Sequence, residues 1–216
     1  MAATKFSERY LNTAPQFGHV HPPLLNEISG KSGVEKDSVL HSLKERNPDL
    51  HFVVTVNTRP PRADETDGED YIFISKAEFE AMQANGELLE HAKVYNDYKG
   101  VPRKQVKDAM ASGKDVLMRL DVQGAATIKQ QAPDALLIFI TAASEEELVQ
   151  RLQGRETESE ADLKVRIETA REEYHRAAEF DYIVVNAHNQ LEQAVDTILA
   201  IIEAEHHRVD PRQVAL

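Results

Sequence analysis

The 216-residue chain has no cysteine. Disulfides, thiolate-held zinc and cysteine nucleophiles are excluded, which fits a cytoplasmic address. It also lacks any run of eighteen or more uncharged apolar residues and any charged-apolar-cleavage arrangement at its start. The sequence therefore predicts neither a membrane span nor a secretory signal. Basic residues are in deficit, 25 Lys and Arg against 37 Asp and Glu, for a net charge of -12. A sequence-independent grip on nucleic acid rests on neutralising phosphates with Lys and Arg, so that class is excluded as well. Any anion must be held by a local cluster.

What is present suffices for one core: 41% of the residues are hydrophobic. Residues 1–21, "MAATKFSERYLNTAPQFGHVH", have no sustained period and read as a flexible arm ending at Pro22-Pro23. Apolar runs then alternate with helical patterns. The predicted strands are "LLNEIS", "HFVVTVN", "YIFIS", "ELLEHAKVY", "DVLMRLD", "ALLIFITA" and "DYIVVN". Ser75-x-x-Glu78 and Ser144-x-x-Glu147 have capping-box spacing, and Gly86 and Gly113 stand where helix C-caps belong. The fold class is α/β with a mainly parallel sheet flanked by helices, and ligands belong at the carboxyl ends of the strands.

One such end carries "ISGKSGVEKDSV". Gly30, Ser32, Gly33, Lys36 and Ser38 are what a phosphate cradle opening a helix contains. Backbone N–H groups and the helix N-terminus hold phosphates there, and the lysine reaches the outer ones. Gly30 and Lys36 have the right separation, but Glu35 stands where the cradle needs glycine. By motif alone the stretch is either a degenerate cradle or an ordinary glycine-containing turn. Downstream, Arg59 and Arg62 sit three apart on a proline-stiffened loop and are placed to converge on one phosphate; the alternative is a solvated loop pair.

The stretch "TVNTRPPRADETDGEDYIFISKAEFEAMQANGELLEHAKVYNDYKG", with "DVLMRLDVQGA" and "RLQGRETESEADLKVR", resembles the guanylate kinase family from about residue 24 to about 208. The resemblance implies transfer of the γ-phosphoryl of ATP to GMP by a P-loop core (about 22–57 and 102–208). That core would carry a small GMP-binding insertion (about 58–101) and a short lid (about 151–166), leaving 209–216 as a tail beyond a domain of 22–208. It implies that Arg59, Arg62 and Tyr71 meet the GMP phosphate, that Glu65 and Glu90 are acidic residues of the same pocket with Glu90 reading the guanine edge, and that Thr55 replaces a serine. Asp121 matches an acid near the acceptor nucleotide. Lys36, Arg155 and Arg166 match positions that act on the transferring phosphate.

The departures are as informative. Lys99 replaces a phosphate-contacting tyrosine, and Val101 removes a hydroxyl beside the base, at about 1–3 kcal/mol for the unmade hydrogen bond. Lys31 replaces a loop proline and Glu156 a lid glycine. Glu35 brings a like charge towards the phosphates, costing up to about 4 kcal/mol at roughly 4 Å if it cannot swing outward. Arg119 replaces the acid expected where magnesium meets the phosphates, so no protein metal site is predicted.

Asn26 and Glu27 stand where relatives are apolar, and a buried carboxylate needs a partner. Glu27 or Glu35 pairing with Arg119 or Lys36 would compensate these changes; the alternative is independent drift at sites no longer under catalytic demand. Asp37 is read as complementing the helix dipole, and His206-His207 as a solvated pair.

The leading expectation is a guanylate-kinase-like protein defective in transfer and retained as a nucleotide- or protein-binding module. It would take GMP or a related phosphate-bearing ligand, with a protein partner as the other kind of occupant. Alternatives are an active guanylate kinase using ATP and Mg2+, and a purely structural subunit.

Overall fold

The computed structural model describes residues 21–31, 33–62, 65–94, 96–153 and 160–216. The chain runs β1 (Leu25–Gly30), α1 (Lys36–Arg46), β2 (His51–Phe52), β3 (Val56–Asn57), β4 (Ile72–Phe73), α2 (Lys76–Ala84), β5 (Leu88–Val94) and β6 (Asp97–Pro102). It continues through α3 (Arg103–Ala111), β7 (Val116–Arg119), α4 (Val122–Gln131), β8 (Leu136–Thr141), α5 (Glu145–Gln153) and α6 (Glu160–His175). A 3-10 turn (Arg176–Glu179), β9 (Tyr182–Val185) and α7 (Leu191–His206) complete it.

Among the described residues, β2, β7, β1, β8 and β9 form, in that order, one sheet whose neighbours are all parallel. Parallel strands covered on both faces need side chains that bury either way, which is why "LLIFIT" is buried throughout. Alternate residues feed opposite layers. Ile28, Leu136, Ile138 and Ile140 join one cluster with Val39 and Leu43 of α1 and Val195 and Ile198 of α7. Leu25, Val116, Met118 and Leu137 join the other with Ala125 and Ile128 of α4.

A second sheet has the order β4-β3-β6-β5, with β3 parallel to β4 and the other neighbours antiparallel. Phe79 of α2 and Leu88 anchor its own small core.

"HFVVTVN" is not the single strand its periodicity predicts. Val53 N–H still bonds Leu117 O of the first sheet (3.0 Å), whereas Thr55 O accepts from Ile72 N–H beside the second (2.9 Å). Between them the Gln105 side chain accepts from Val54 N–H and donates to Val54 O. The backbone changes sheets there while its apolar pattern continues unbroken. Strand β6 escapes the pattern because it contains Gly100 and Pro102; a Cβ at Gly100 would lie about 3.1–3.2 Å from Leu88 and Phe79.

Both capping signals hold, one with a variation. Ser75 and Glu78 form the full reciprocal box. Ser144 Oγ accepts from Glu147 N–H, but Glu147 reaches back one residue further, to Ala143 N–H. Gly86 and Gly113 lie just beyond the ends of α2 and α3 in left-handed conformation. No helix among the described residues is long and apolar enough to cross a membrane.

Candidate functional site

The carboxyl ends of β1 and β7 open into a cavity of about 250 Å³ that reaches the second sheet. Gly30 lies at its rim, and a Cβ there would collide with the carbonyl oxygen of Ile140 on the neighbouring strand, so glycine is required by close approach. The lysine of the loop turns inward. Lys36 Nζ donates to the carbonyls of Gly30 and, at 3.2 Å, Lys31. Burial lowers its pKa, opposed by Glu173, while Arg119 pushes in the same direction as burial. Ser38 is exposed on the first turn of α1. Lys31 is buried, with Nζ 4.0 Å from the centre of the Tyr174 ring on α6.

Glu35 keeps the backbone that the missing glycine would have had, φ 57° and ψ 41°, and its side chain is exposed. The expectation that it crowds the cradle is corrected: the cost appears as left-handed strain, and the carboxylate lies in water, where it is screened. Glu35→Gly is therefore expected to raise unfolding stability by about 0.5–1 kcal/mol, the left-handed penalty less the entropy of an added glycine. Its effect on ATP affinity should stay below about tenfold, against the roughly thousandfold that a carboxylate inside the cradle would give. Urea titration and calorimetry check both; a destabilised variant would contradict the strain argument.

On the second sheet, the two oxygens of Glu65 are gripped by the Arg59 fork at 2.6 and 2.5 Å, and one also accepts from Arg62 N–H. Arg59 holds the Glu65 carboxyl down at about 2. The Arg62 side chain is exposed, so the described contacts do not bring the two guanidinium groups onto one point, although both act electrostatically on Lys99. Tyr71 stands at the centre of this side. Arg59 lies 5.1 Å and Lys99 5.2 Å from its ring centre. Lys99 makes no ion pair among the described residues, and burial lowers its pKa. Thr55 and Lys99 line the cavity, whereas Val101 is fully buried in the core cluster beneath.

Three carboxylates bear on the junction. Glu90, 6% exposed, is pushed up to about 7 by burial and then by Asp121. Asp121 caps α4, Oδ1 accepting from Gln123 N–H (2.9 Å) and Gly124 N–H (2.8 Å). Glu27 is fully buried on β1: Oε1 accepts from Leu120 N–H (3.2 Å) and Oε2 has no hydrogen bond. Burial raises its pKa well above the carboxylate range, only partly offset by the Leu120 bond and by Lys36.

The expected pairing of Glu27 or Glu35 with Arg119 or Lys36 is thus corrected. Arg119 pairs instead with Asp37, the residue read as a dipole partner, and donates to Tyr71 Oη at 2.9 Å. Burial lowers the Arg119 pKa.

Ser32, Arg155 and Glu156 lie outside the described residues. Arg166 is half-buried on α6. Arg151 is tied down by Glu147 (2.5 Å) and the Asn186 carbonyl (2.9 Å). Sequence reasoning missed Glu173, which lines the cavity and faces Lys36 from α6; its only signal was an acidic helix C-terminal to the arginines. It also misjudged His206. Rather than standing free in solvent, its Nε2 meets Asp115 Oδ2 at 2.7 Å, and Asp115 Oδ1 accepts from Leu24 N–H. Among the described residues no group of three or more His, Asp or Glu is placed to hold a metal.

Comparison with known proteins converges on one description. A family model described as guanylate kinase matches residues 26–205. Guanylate kinase 2, chloroplastic/mitochondrial, of Oryza sativa subsp. japonica is 47% identical over 212 residues, 98% of this chain and 72% of the relative. The guanylate kinase of Thermobifida fusca is 42% identical over 187 residues, 87% of this chain and 94% of the relative. The crystal structure of guanylate kinase from Anaplasma phagocytophilum superimposes with a TM-score of 0.70 at 28% identity, covering 88% of this chain and 89% of that one.

Proposed function

The chain belongs to the guanylate kinase family, and on that premise we propose that it is an active enzyme transferring the terminal phosphoryl group of ATP to GMP. Of the readings open to the sequence, this displaces the transfer-defective module. The relatives that support it, 41–47% identical, carry the name guanylate kinase.

The single observation that carries the reading is the outward Glu35. The left-handed turn survives with its carboxylate in solvent, while Lys36 faces a cavity shared with Thr55, Tyr71, Glu90 and Lys99. In that cavity Lys36 and the α1 N-terminus take the donor phosphates. Tyr71, Lys99 and the Arg59–Arg62 loop take the acceptor phosphate. Glu90 accepts from the guanine edge, and Asp121, its Oδ2 taking no part in the helix cap, lies beside it. Arg166 and Arg155 belong to the segment proposed to close over the transferring phosphate.

ATP is the proposed donor, and magnesium is expected to arrive with its phosphates. The chain's own residues do not fit a directly ligated divalent ion. Arg119 occupies the strand end and engages Asp37, which places a cation where such an ion would need oxygen ligands. The organellar address in the rice relative's name is as compatible with an absence of cysteine as a cytoplasmic one.

The test is ADP formation by the purified chain from ATP, Mg2+ and GMP, expected at about 1–100 per second. Absence of ADP above the no-GMP blank would reject the proposal and restore the binding-module reading, which the Arg119 cation favours.

Glu90 adds a pH dependence. A carboxyl near 7 must ionise to accept two guanine N–H groups, so affinity for GMP rises with pH. Between pH 6 and 8 the ionised fraction grows about tenfold, and the dissociation constant should fall correspondingly. Calorimetry across that range checks it, with Glu90→Gln as control. The part of the slope due to the phosphate itself should survive in that variant and the remainder should vanish.

A further inference from the structure

Arg119 ends β7 beside the cavity shared by the loop, the first sheet and the second. Its side chain is 36% exposed, and its two contacts differ in kind. Tyr71 Oη, reached at 2.9 Å, is carried by the residue just before β4 of the second sheet. Asp37 belongs to the first turn of α1 and is 83% exposed, so water screens the pair and makes its exchange cheap. A guanidinium has five N–H donors in a planar fork matched to phosphate. At Arg119, Nε has no acceptor among the described residues. The same cavity is lined by Lys36, Lys99 and Tyr71 and by the carboxylates Glu90, Asp121 and Glu173; its cations gather about Tyr71, which Arg119 reaches through Oη and Lys99 approaches to 5.2 Å of the ring centre, so an anion entering beside Tyr71 meets both.

We propose that Arg119 is a phosphate-binding residue: its fork releases Asp37 and closes on a phosphate monoester of the bound nucleotide, Tyr71 retaining Nη2, and so supplies charge neutralisation at a strand end unsuited to a divalent ion. The inference rests on the nucleotide-kinase reading of the site and deepens it. The shared ligand chemistry is a dianionic phosphate. Its source is the acceptor GMP or the end of the ATP chain, and the Tyr71 contact, beside the second sheet, favours GMP.

Calorimetry on the full chain decides it, with GMP alone, ATP in EDTA and ATP with Mg2+ as arms. Arg119→Gln is expected to weaken GMP about tenfold and ATP less than about threefold. Weakening confined to ATP would assign the donor phosphate instead and still support a phosphate role; unchanged affinity for both would overturn it.

Asp37→Asn frees the guanidinium without removing it and is expected to tighten GMP about two- to threefold. A purely structural tie would instead lower the melting temperature of Asp37→Asn with no gain in affinity. Binding is read without turnover. Absence of ADP formation with loss of GMP affinity in Arg119→Gln would sink the kinase reading and leave this one standing, and robust transfer by an unimpaired Arg119→Gln would do the reverse. No binding of either nucleotide by the parent chain would overturn both.

Discussion

Lys36→Met is expected to lose about a hundred- to a thousandfold in ATP:GMP transfer, the range for removing one preorganised donor from a developing phosphoryl charge. The residue is held for that task. Its ammonium bonds the carbonyls of Gly30 and Lys31, so it reaches the cavity along a fixed path. Burial lowers its pKa, and Glu173 opposes the change. Methionine keeps the length and much of the apolar stem while removing the charge. The stability cost should be about 1 kcal/mol for two loop hydrogen bonds that water can replace. Steady-state rates with a melting curve check both, and GMP affinity should move less than about twofold, because Lys36 makes its hydrogen bonds within its own loop and none to Tyr71, Glu90 or Lys99. A variant retaining more than about a tenth of the parental rate would show that the loop lysine is not the donor-side anchor.

Glu27→Gln should stabilise the protein at alkaline pH and leave it unchanged in acid. The carboxyl is fully buried, accepts only from Leu120 N–H and leaves Oε2 without a partner. Its folded pKa is raised well above 4.5, so the native state binds the proton more tightly than the unfolded chain does. Below the unfolded value both states are protonated and the group is neutral in its effect. As pH climbs from there towards the folded pKa, stability falls. Glutamine keeps the acceptor for Leu120 and cannot ionise. The gain should therefore be near zero at pH 4 and about 1–3 kcal/mol at pH 8, the range for a buried group left unsatisfied. Urea unfolding at the two pH values checks it; equal differences at both would mean that Glu27 is compensated when ionised.

The α/β class and most strand positions were legible because parallel strands are apolar on both faces, as in "LLIFIT" and "VLM". The change of sheet at Val54 was not, because it depends on a side chain fifty residues away, Gln105, and leaves the apolar pattern intact. At the site, residue identities were readable from the resemblance, and so were the departures. What those departures do was not. Glu35 looked like an obstruction because sequence gives a side chain's chemistry but not its direction. Asp37 looked like a helix-dipole partner because its neighbour across the cleft, Arg119, is remote in sequence. Glu27 was foreseen as buried, but the backbone N–H that meets it carries no sequence signal.

The pairing of β1 with β7 on one side and β8 on the other bears on how the chain is made. The first strand synthesised must wait for partners about a hundred residues behind it, so the ribosome releases most of the polypeptide before the central sheet can zip together. Local units such as α2 and the β5–β6 hairpin can form early, whereas Leu25 and Ile28 stay uncovered. Such non-local wiring slows folding and leaves the nascent chain sticky for longer. Recombinant yield should accordingly depend on chaperone supply and on slowed translation.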